Sequence, residues 1–533
     1  MSNGQQVTFT LDGESVVLDD VGRATLLEVL RDRCGVTSVK DGCSPQGQCG
    51  CCTVLVDGQP RVACVTPARR VEGRAVQTVD GLDGDACDVW GEALCATGGS
   101  QCGFCTPGIV VRLEGLRSKL DAPGNTDRGA VDQALLAHLC RCTGWQTIRE
   151  AWDLVVGGAT GLDQDRDLAA AAERASIEGR ADQIVGADVA LGRAPFAADT
   201  APDDALIAVW ATGTSGDVTD GEWVVGETLT DARAAAGKVQ GRRTTADHAW
   251  PLEVPAGDWD LTLRTTWVEP AALETDASWC EPGGDPASPL ANGGAFGAKA
   301  TSPVPAAARR LADEHGRPVL ALASREDTVR WGPKRPPLAI GASLDGDTLR
   351  GAVHVAATPG IAEAIGAVAP GVDVIEHDVP GPPTTVDARG AGWVEVAVVD
   401  AALRARRDDA DTVDVASPEG SHASASFADG RIAVTVRCGR PLDDVVLRSY
   451  AIGAAHMAWS WVTAEALTVD ADGEIHDLTV RSFGVLRAVD TPEVDVTIEA
   501  DDGPAVNGSD AVFAAVAALA WQQRGWAPQW PAG

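Results

Sequence analysis

The sequence predicts an α+β multidomain chain that opens with a β-grasp followed by a small helical bundle. Three observations carry this. The chain has 533 residues, enough for roughly three to four domains, and 45% of them are apolar, which suffices for packed cores. QVTFTLDGESVVL and TVLVDGQPRVACV alternate around Asp12-Gly13 and Asp57-Gly58, the pattern of two hairpins. Ile109, Leu113, Leu116 and Leu120, and then Val131, Leu135, Leu136 and Leu139, recur at helical spacing.

Between the hairpins, TLLEVLRDRC reads as a short amphipathic helix, and two hairpins plus a helix make a β-grasp. The loop that follows is Cys43-SPQGQ-Cys49-G-Cys51-Cys52, with Cys64 further on. This spacing is close to that of plant-type [2Fe–2S] ligands. Such a cluster needs four thiolates on two irons, several of them from one tight loop. Gly42, Gly47 and Gly50 give the loop the freedom to turn N–H groups toward sulfur. Cys51 reads as a small spacer beside Cys52.

A second group, Gln101-Cys102-GF-Cys105-TPG with Leu139-Cys140-Arg141-Cys142, suits zinc as well as iron–sulfur when taken alone. Its ferredoxin-like neighbour favours iron–sulfur. Thr106 reads as a helix cap with Pro107 at the first position. Twelve of the 14 Cys lie between Cys34 and Cys142. A disulfide framework suits a short secreted chain, which this is not. Cys34, Cys87 and Cys95 are expected to be buried structural thiols.

Further along, Asp163 to Gly179 reads as a charged, Ala-rich linker helix. Residues 406–432 read as an acidic linker or short hairpin, and Ala511 to Trp521 as a buried helix. Ser509 and Asp510 directly precede that helix and read as its cap. Trp459, Trp461, Trp521, Trp526 and Trp530 are expected to be packing groups near the chain end or a subunit interface. The net charge of −34 argues against nucleic acid and anionic membranes. No apolar run reaches the roughly 18 residues of a membrane span. The first residues lack a signal pattern, so a cytoplasmic location is expected. No GxGxxG follows a strand with the spacing of a dinucleotide fold, so neither FAD nor NAD is expected on this chain.

With both Cys motifs in hand, residues 5–157 resemble the iron–sulfur part of the xanthine dehydrogenase and aldehyde oxidoreductase family of molybdenum hydroxylases. The resemblance implies that Cys43, Cys49, Cys52 and Cys64 bind one [2Fe–2S] cluster, and that Cys102, Cys105, Cys140 and Cys142 bind a second, nearer a molybdopterin. Gln101 would lie beside the pterin. One departure is the first spacer, five residues where four is usual. From about residue 182, GADVALGRAPFAADTAPDDALIAVW is similar to the entry of the family's α/β hammerhead domain. Asn292-GGAFGA-Lys299 looks like its GGxFGxK loop, and Arg389-GAG continues the likeness. The implied division is 1–80 ferredoxin domain, 81–160 helical cluster domain, 161–181 linker, 182–285 hammerhead-like domain and 286–533 shortened molybdopterin-binding-like domain. In that last part Gly294, Phe296, Gly297 and Arg389 would contact a molybdopterin.

The resemblance also marks what is missing. The cofactor part is roughly half the usual length, and Ser449 stands where the family commonly has a cofactor-side Gln. The family's Gly-Glu-Pro, whose Glu is the catalytic base, appears as Gly508-Ser509-Asp510, so the base reads as lost and the catalytic residue as unknown; Asp510, one position later and one methylene shorter, could replace it only with a shifted backbone. The implied function is an electron-transferring iron–sulfur subunit. Its partners would be a complete molybdopterin subunit and a separate flavin subunit or other acceptor. The alternatives are a self-contained minimal hydroxylase of aldehydes or N-heterocycles, and a non-catalytic redox sensor or assembly factor.

Overall fold

The computed structural model describes residues 6–120, 127–162, 166–211, 218–238 and 246–532. Residues 1–5 of the N-terminal reading and 163–165 of the expected linker lie outside the described residues.

Strands β1 (Val7–Leu11) and β2 (Glu14–Leu18) form the first expected hairpin, and β3 (Thr53–Val56) and β4 (Gln59–Val62) the second. Asp12, Gly13, Asp57 and Gly58 all have positive φ, the turn geometry whose twist matches that of paired strands. The sequence reading missed β5 (Ala75–Gln77), which is too short to show a period. It pairs parallel to β1 and antiparallel to β3, joining the hairpins into one sheet ordered β2-β1-β5-β3-β4. Helix α1 (Leu26–Glu28) opens on a Thr25–Glu28 capping box and continues as a π-helical stretch, Val29–Arg33. Leu26, Leu27, Val29 and Leu30 go into the core.

Helices α2 (Gly84–Thr97), α3 (Thr106–Arg117), α4 (Arg128–Leu135) and α5 (Gln146–Val156) form the bundle, with Trp90 and Trp152 in contact across α2 and α5. Two expectations are corrected here. Thr106 is the first helical residue rather than the cap. The Cys105 carbonyl already accepts from Ile109 N at 3.2 Å, and the Thr106 hydroxyl turns to Ser100 Oγ at 3.1 Å. The helix thus starts directly from an inward-facing cysteine. Cys34 and Cys87 are only half-buried, because one ends the π-helical stretch and the other lies on the first turn of α2; Cys95 is buried.

Helix α6 (Leu168–Gly179) is no linker. Arg174 and Glu178 on it are fully buried and paired with each other, and the helix packs on the long C-terminal helix Asp444–Thr463. Charged residues at an interface are easily misread as a solvated face.

Strands β6 (Leu206–Trp210), β7 (Trp223–Gly226), β8 (Leu261–Arg264), β9 (Ala277–Cys280) and β10 (Val319–Leu322) follow. The sheet β7-β6-β10-β9 packs on α7 (Val304–His315), and α8 (Arg325–Trp331) follows β10. β8 joins β11 (Leu338–Asp345), β12 (Thr348–Ala356) and β13 (Val372–His377) in the order β13-β12-β11-β8.

The acidic stretch 406–432 is also structured. It finishes α9 (Trp393–Asp408) and forms β14 (Thr412–Ala416), β15 (His422–Ala428) and the start of β16 (Arg431–Arg437). With β17 (Glu493–Ile498) these make a four-stranded sheet. Val413, Val415, Ala423, Ala425, Ile432, Val434 and Val436 are buried in strict alternation. Small Ala and Ser side chains hide that period in a composition reading.

This sheet covers α11 (Ser509–Gln523), which is apolar nearly all round and correspondingly buried beside α10 (Asp444–Thr463). Trp461 stacks on Phe513 at 5.3 Å, and Trp530 meets Trp461 and Trp521 edge-on. These three tryptophans are interior packing groups.

α10 also carries His456, 1% exposed, whose pKa burial and then nearby Arg141 push down to about 3. The unfolded chain therefore takes up this proton first as pH falls below about 6.5. Stability declines from there toward pH 3, by at most about 1.4 kcal/mol per pH unit. His456→Gln is expected to flatten this acid limb, read from denaturation midpoints at a series of pH values. An unchanged slope would remove His456 from the account.

Candidate functional site

Cys43, Cys49, Cys52 and Cys64 are each at most 2% exposed. The Cys43 thiol contacts those of Cys49 and Cys64, and Cys64 also contacts Cys52. Backbone N–H groups of Gln46 and Cys64 point at the sulfurs of Cys43 and Cys52, at 3.1 and 3.4 Å. Contact with Cys49 holds the Cys43 thiol well below its ordinary range, while Cys49 and Cys64 are driven far up by contact with Cys43. Crowded thiols cannot all ionise without a cation among them. Gly42 is required here: a Cβ on it would come within 2.9 Å of Cys51 Sγ and 3.1 Å of Cys49 Sγ. Cys51 is buried against Cys49.

Cys102, Cys105, Cys140 and Cys142 are likewise buried. Cys102 and Cys142 stand 3.7 Å apart, sulfur to sulfur, and Cys105 contacts Cys140. Contact with Cys105, supported by Thr143, pulls Cys140 down to about 7. Two thiolates on one tetrahedral metal, each about 2.3 Å from it, stand about 3.8 Å apart. Among the described residues no three His, Cys, Asp or Glu converge on a single ion position. Two pairs of sulfurs match two irons bridged in one cluster, so the donor set fits a [2Fe–2S] group.

The two sets are adjacent. Leu139 N donates to the Cys49 carbonyl at 2.9 Å, one residue before Cys140. Thr53 Oγ1 meets His138 Nε2 at 3.1 Å, and Gly108 packs on the carbonyls of Gly50 and Cys51 so closely that a Cβ would clash. Burial brings His138 down to about 3, so this ring is neutral.

The residues expected to contact a molybdopterin converge beside the second set. Gly294 lies against Cys102, where a Cβ would be 3.0 Å from its sulfur. Asn292 ties the same loop to the Cys102 carbonyl at 3.0 Å. Gln101 Nε2 donates to the Cys142 carbonyl and to Ser449 Oγ, while its Oε1 has no partner among the described residues. Gly297 backs onto the Asp387 carbonyl. The Arg389 guanidinium stacks on Phe296 at 4.1 Å and donates to Ser509 Oγ and Asp510 Oδ1 at 3.0 and 3.2 Å. The space bordered by Phe296, Arg389, Arg335, Met457, Trp461 and Glu465 amounts to about 40 Å³. Cofactor pockets take roughly 300–1,000 Å³. A molybdopterin does not fit among these residues as they stand.

Asp510 and Ser509 do not cap α11, contrary to the sequence expectation. The Glu178 carboxylate accepts from Gly508 N and Ser509 N at 3.0 and 2.8 Å, and Asn507 Oδ1 accepts from Asp510 N at 2.9 Å. With the cap supplied by Glu178 and Asn507, Asp510 is free to pair. Its Oδ1 takes Arg389 and its Oδ2 takes Arg180 at 2.7 Å. A guanidinium on each oxygen thus ties this carboxylate to the end of α6 on one side and to Arg389 on the other. Sequence reasoning missed Glu178, Arg180 and Glu465, because single charges without a motif give no local signal, and it quoted Arg141 within the second Cys motif without a role.

The fold and these thiols define an iron–sulfur protein, and comparison with known proteins agrees. A family model described as "[2Fe-2S] binding domain" matches residues 78–153. Over 141 residues the chain is 33% identical to a probable xanthine dehydrogenase subunit of Bacillus subtilis, covering 26% of this chain and 79% of that protein. Over 149 residues it is 38% identical to the nicotine 6-hydroxylase small subunit of Paenarthrobacter nicotinovorans, covering 28% of this chain and 82% of that one. The chain therefore belongs to the xanthine dehydrogenase family of molybdenum hydroxylases, and is an oxidoreductase of that family. The solved aldehyde oxidoreductase from Desulfovibrio gigas superposes with a TM-score of 0.70, covering 97% of each chain at 15% identity, which shows a shared fold. No helix among the described residues is long and apolar enough to cross a membrane.

Proposed function

We propose that this chain is the electron-transferring iron–sulfur component of a molybdenum hydroxylase. In this reading Cys43, Cys49, Cys52 and Cys64 hold one [2Fe–2S] cluster and Cys102, Cys105, Cys140 and Cys142 the other. When bound, the clusters supply reversible one-electron transfer. The chain's own residues hold them dry: all eight sulfurs are buried, and N–H groups face Cys43 and Cys52. The observation that carries the reading is the Leu139 to Cys49 hydrogen bond between two complete sets of four thiols. It gives electrons a short, mostly covalent route from one set to the other.

The molybdenum centre and the final acceptor are placed on partner chains, a complete molybdopterin subunit and a flavin subunit or other acceptor. Support comes from the 40 Å³ left around Phe296 and Arg389, and from the two ion pairs that occupy Asp510. Two of the relatives above are named as subunits, which supports this reading. The dense thiols between Cys34 and Cys142 suit a reducing compartment such as the cytoplasm. The test is anaerobic purification of the full chain alone. About four iron atoms per chain, two paramagnetic signals after dithionite and no molybdenum are expected. Molybdenum bound at full occupancy, with aldehyde or N-heterocycle turnover, would establish the self-contained hydroxylase instead. Cluster loss coupled to altered partner binding, without reversible redox cycling, would establish the sensor.

A further inference from the structure

The spacer between Cys43 and Cys49, one residue longer than the family's usual four, is gripped by the distant C-terminal part of the chain. Gln46 clamps the backbone at two points: Nε2 donates to the Leu478 carbonyl at 2.7 Å, and Oε1 accepts from Val480 N at 3.0 Å. Arg481 Nε donates to the Gln48 carbonyl at 2.8 Å and its Nη2 to the Leu136 carbonyl at 2.7 Å. A second guanidinium comes from α8, where Arg325 Nη2 donates to the carbonyls of Gly42 and Leu273 at 2.6 and 2.8 Å. Each arginine thus holds the carbonyl directly before a cysteine, Gly42 before Cys43 and Gln48 before Cys49.

Arg325 is 0% exposed, and its Nε and Nη1 have no partner among the described residues. The hydrogen bonds of both side chains go to backbone carbonyls. A buried guanidinium is costly unless negative charge lies close by. Loaded with a cluster, the Cys43–Cys64 set would carry negative charge just beyond the Gly42 carbonyl that Arg325 holds. Gly42 shows how near it is, since a Cβ there would touch the sulfurs of Cys49 and Cys51 and the same Leu273 carbonyl that Arg325 holds. Burial and then nearby Arg487 push Arg481 down, with Cys49 and Cys43 pulling the other way.

We infer that Arg325 and Arg481 are positioning residues that set the reduction potential of the first cluster. One electron enters and no bond changes, so the reduced cluster is more negative by one unit. Two positive charges without carboxylate partners among the described residues, fixed on the flanking carbonyls, favour that state. The inference rests on the cluster reading above. It deepens that reading by giving the C-terminal part a share in electron transfer, through residues 283 and 433 positions away from the loop they hold.

The experiment is a potentiometric titration of the cluster-loaded full chain, followed by paramagnetic resonance. Arg325→Met and Arg481→Gln are each expected to lower the reduced-to-oxidised ratio of the first cluster about tenfold at the original midpoint, which converts to about 59 mV. The second cluster should move less. Arg325→Lys restores most of the shift. Arg330→Gln, on the same helix but exposed and paired with Glu326, leaves both potentials in place. If Arg325→Met does not accumulate as folded protein, Arg481→Gln decides alone. Both signals present with an unmoved potential in Arg481→Gln would overturn the inference and leave the cluster reading standing. Absence of both signals from the unsubstituted chain would overturn the two together.

Discussion

Cys142→Ser is expected to remove one of the two paramagnetic signals of the dithionite-reduced chain and to leave the other in place. Cys142 shares a pair with Cys102 at 3.7 Å and belongs to the second set alone. The first set lies wholly within residues 43–64, on its own sheet and loop, so its ligands survive the substitution. Iron content should fall by about half. The reciprocal Cys52→Ser should remove the opposite signal. Because cluster binding is also folding energy, the second set's loss should loosen the helices that grip it. α3 starts from Cys105 and α5 begins four residues after Cys142, so proteolysis should concentrate there. Loss of both signals in Cys142→Ser would mean that the two sets assemble as one unit, and the separate-ligand assignment would fail.

The sequence made the cluster region legible because its chemistry is local. Three sulfurs on one loop and a fourth just past the next hairpin impose spacing, and Asp-Gly turns impose hairpins, so this stretch and both flanking hairpins could be read directly. β5 escaped because three residues pairing two distant strands leave no pattern of their own. The C-terminal half was misread wherever burial is settled by contacts far apart in the chain. Arg174 and Glu178 look solvated until α10 and the start of α11 close over them. The 406–432 stretch reads as a linker or short hairpin; β14 and β15 do pair as a hairpin, but its packing on α11 leaves no local signal. The expected molybdopterin contacts did come together, yet Arg389 fills the space they enclose by stacking on Phe296 and pairing with Asp510. Residue identity in a motif fixes neighbours more reliably than it fixes vacant volume.

Glu465→Leu is expected to destabilise the chain by about 3–5 kcal/mol, and pairing it with Arg141→Met should recover most of the loss. Arg141 lies between Cys140 and Cys142, and its guanidinium grips the Glu465 carboxylate with both terminal nitrogens, at 2.5 and 2.7 Å. Both side chains are buried, 8% and 1% exposed. Arg141 also donates through Nε to the Pro270 carbonyl at 3.1 Å. Removing the carboxylate alone leaves a guanidinium in a dry site with one backbone acceptor, which is the costly state. Removing both leaves apolar side chains of similar volume beside Trp461 and Met457, which already border that space. A guanidinium chloride denaturation series on the two single variants and the double variant measures the coupling directly. Losses that simply add would show that the pair contributes little as a pair. A restored double variant with a shifted second-cluster signal would place the ion pair's role at the second thiol set. There it would lock the segment between Cys140 and Cys142 onto the residues just after α10.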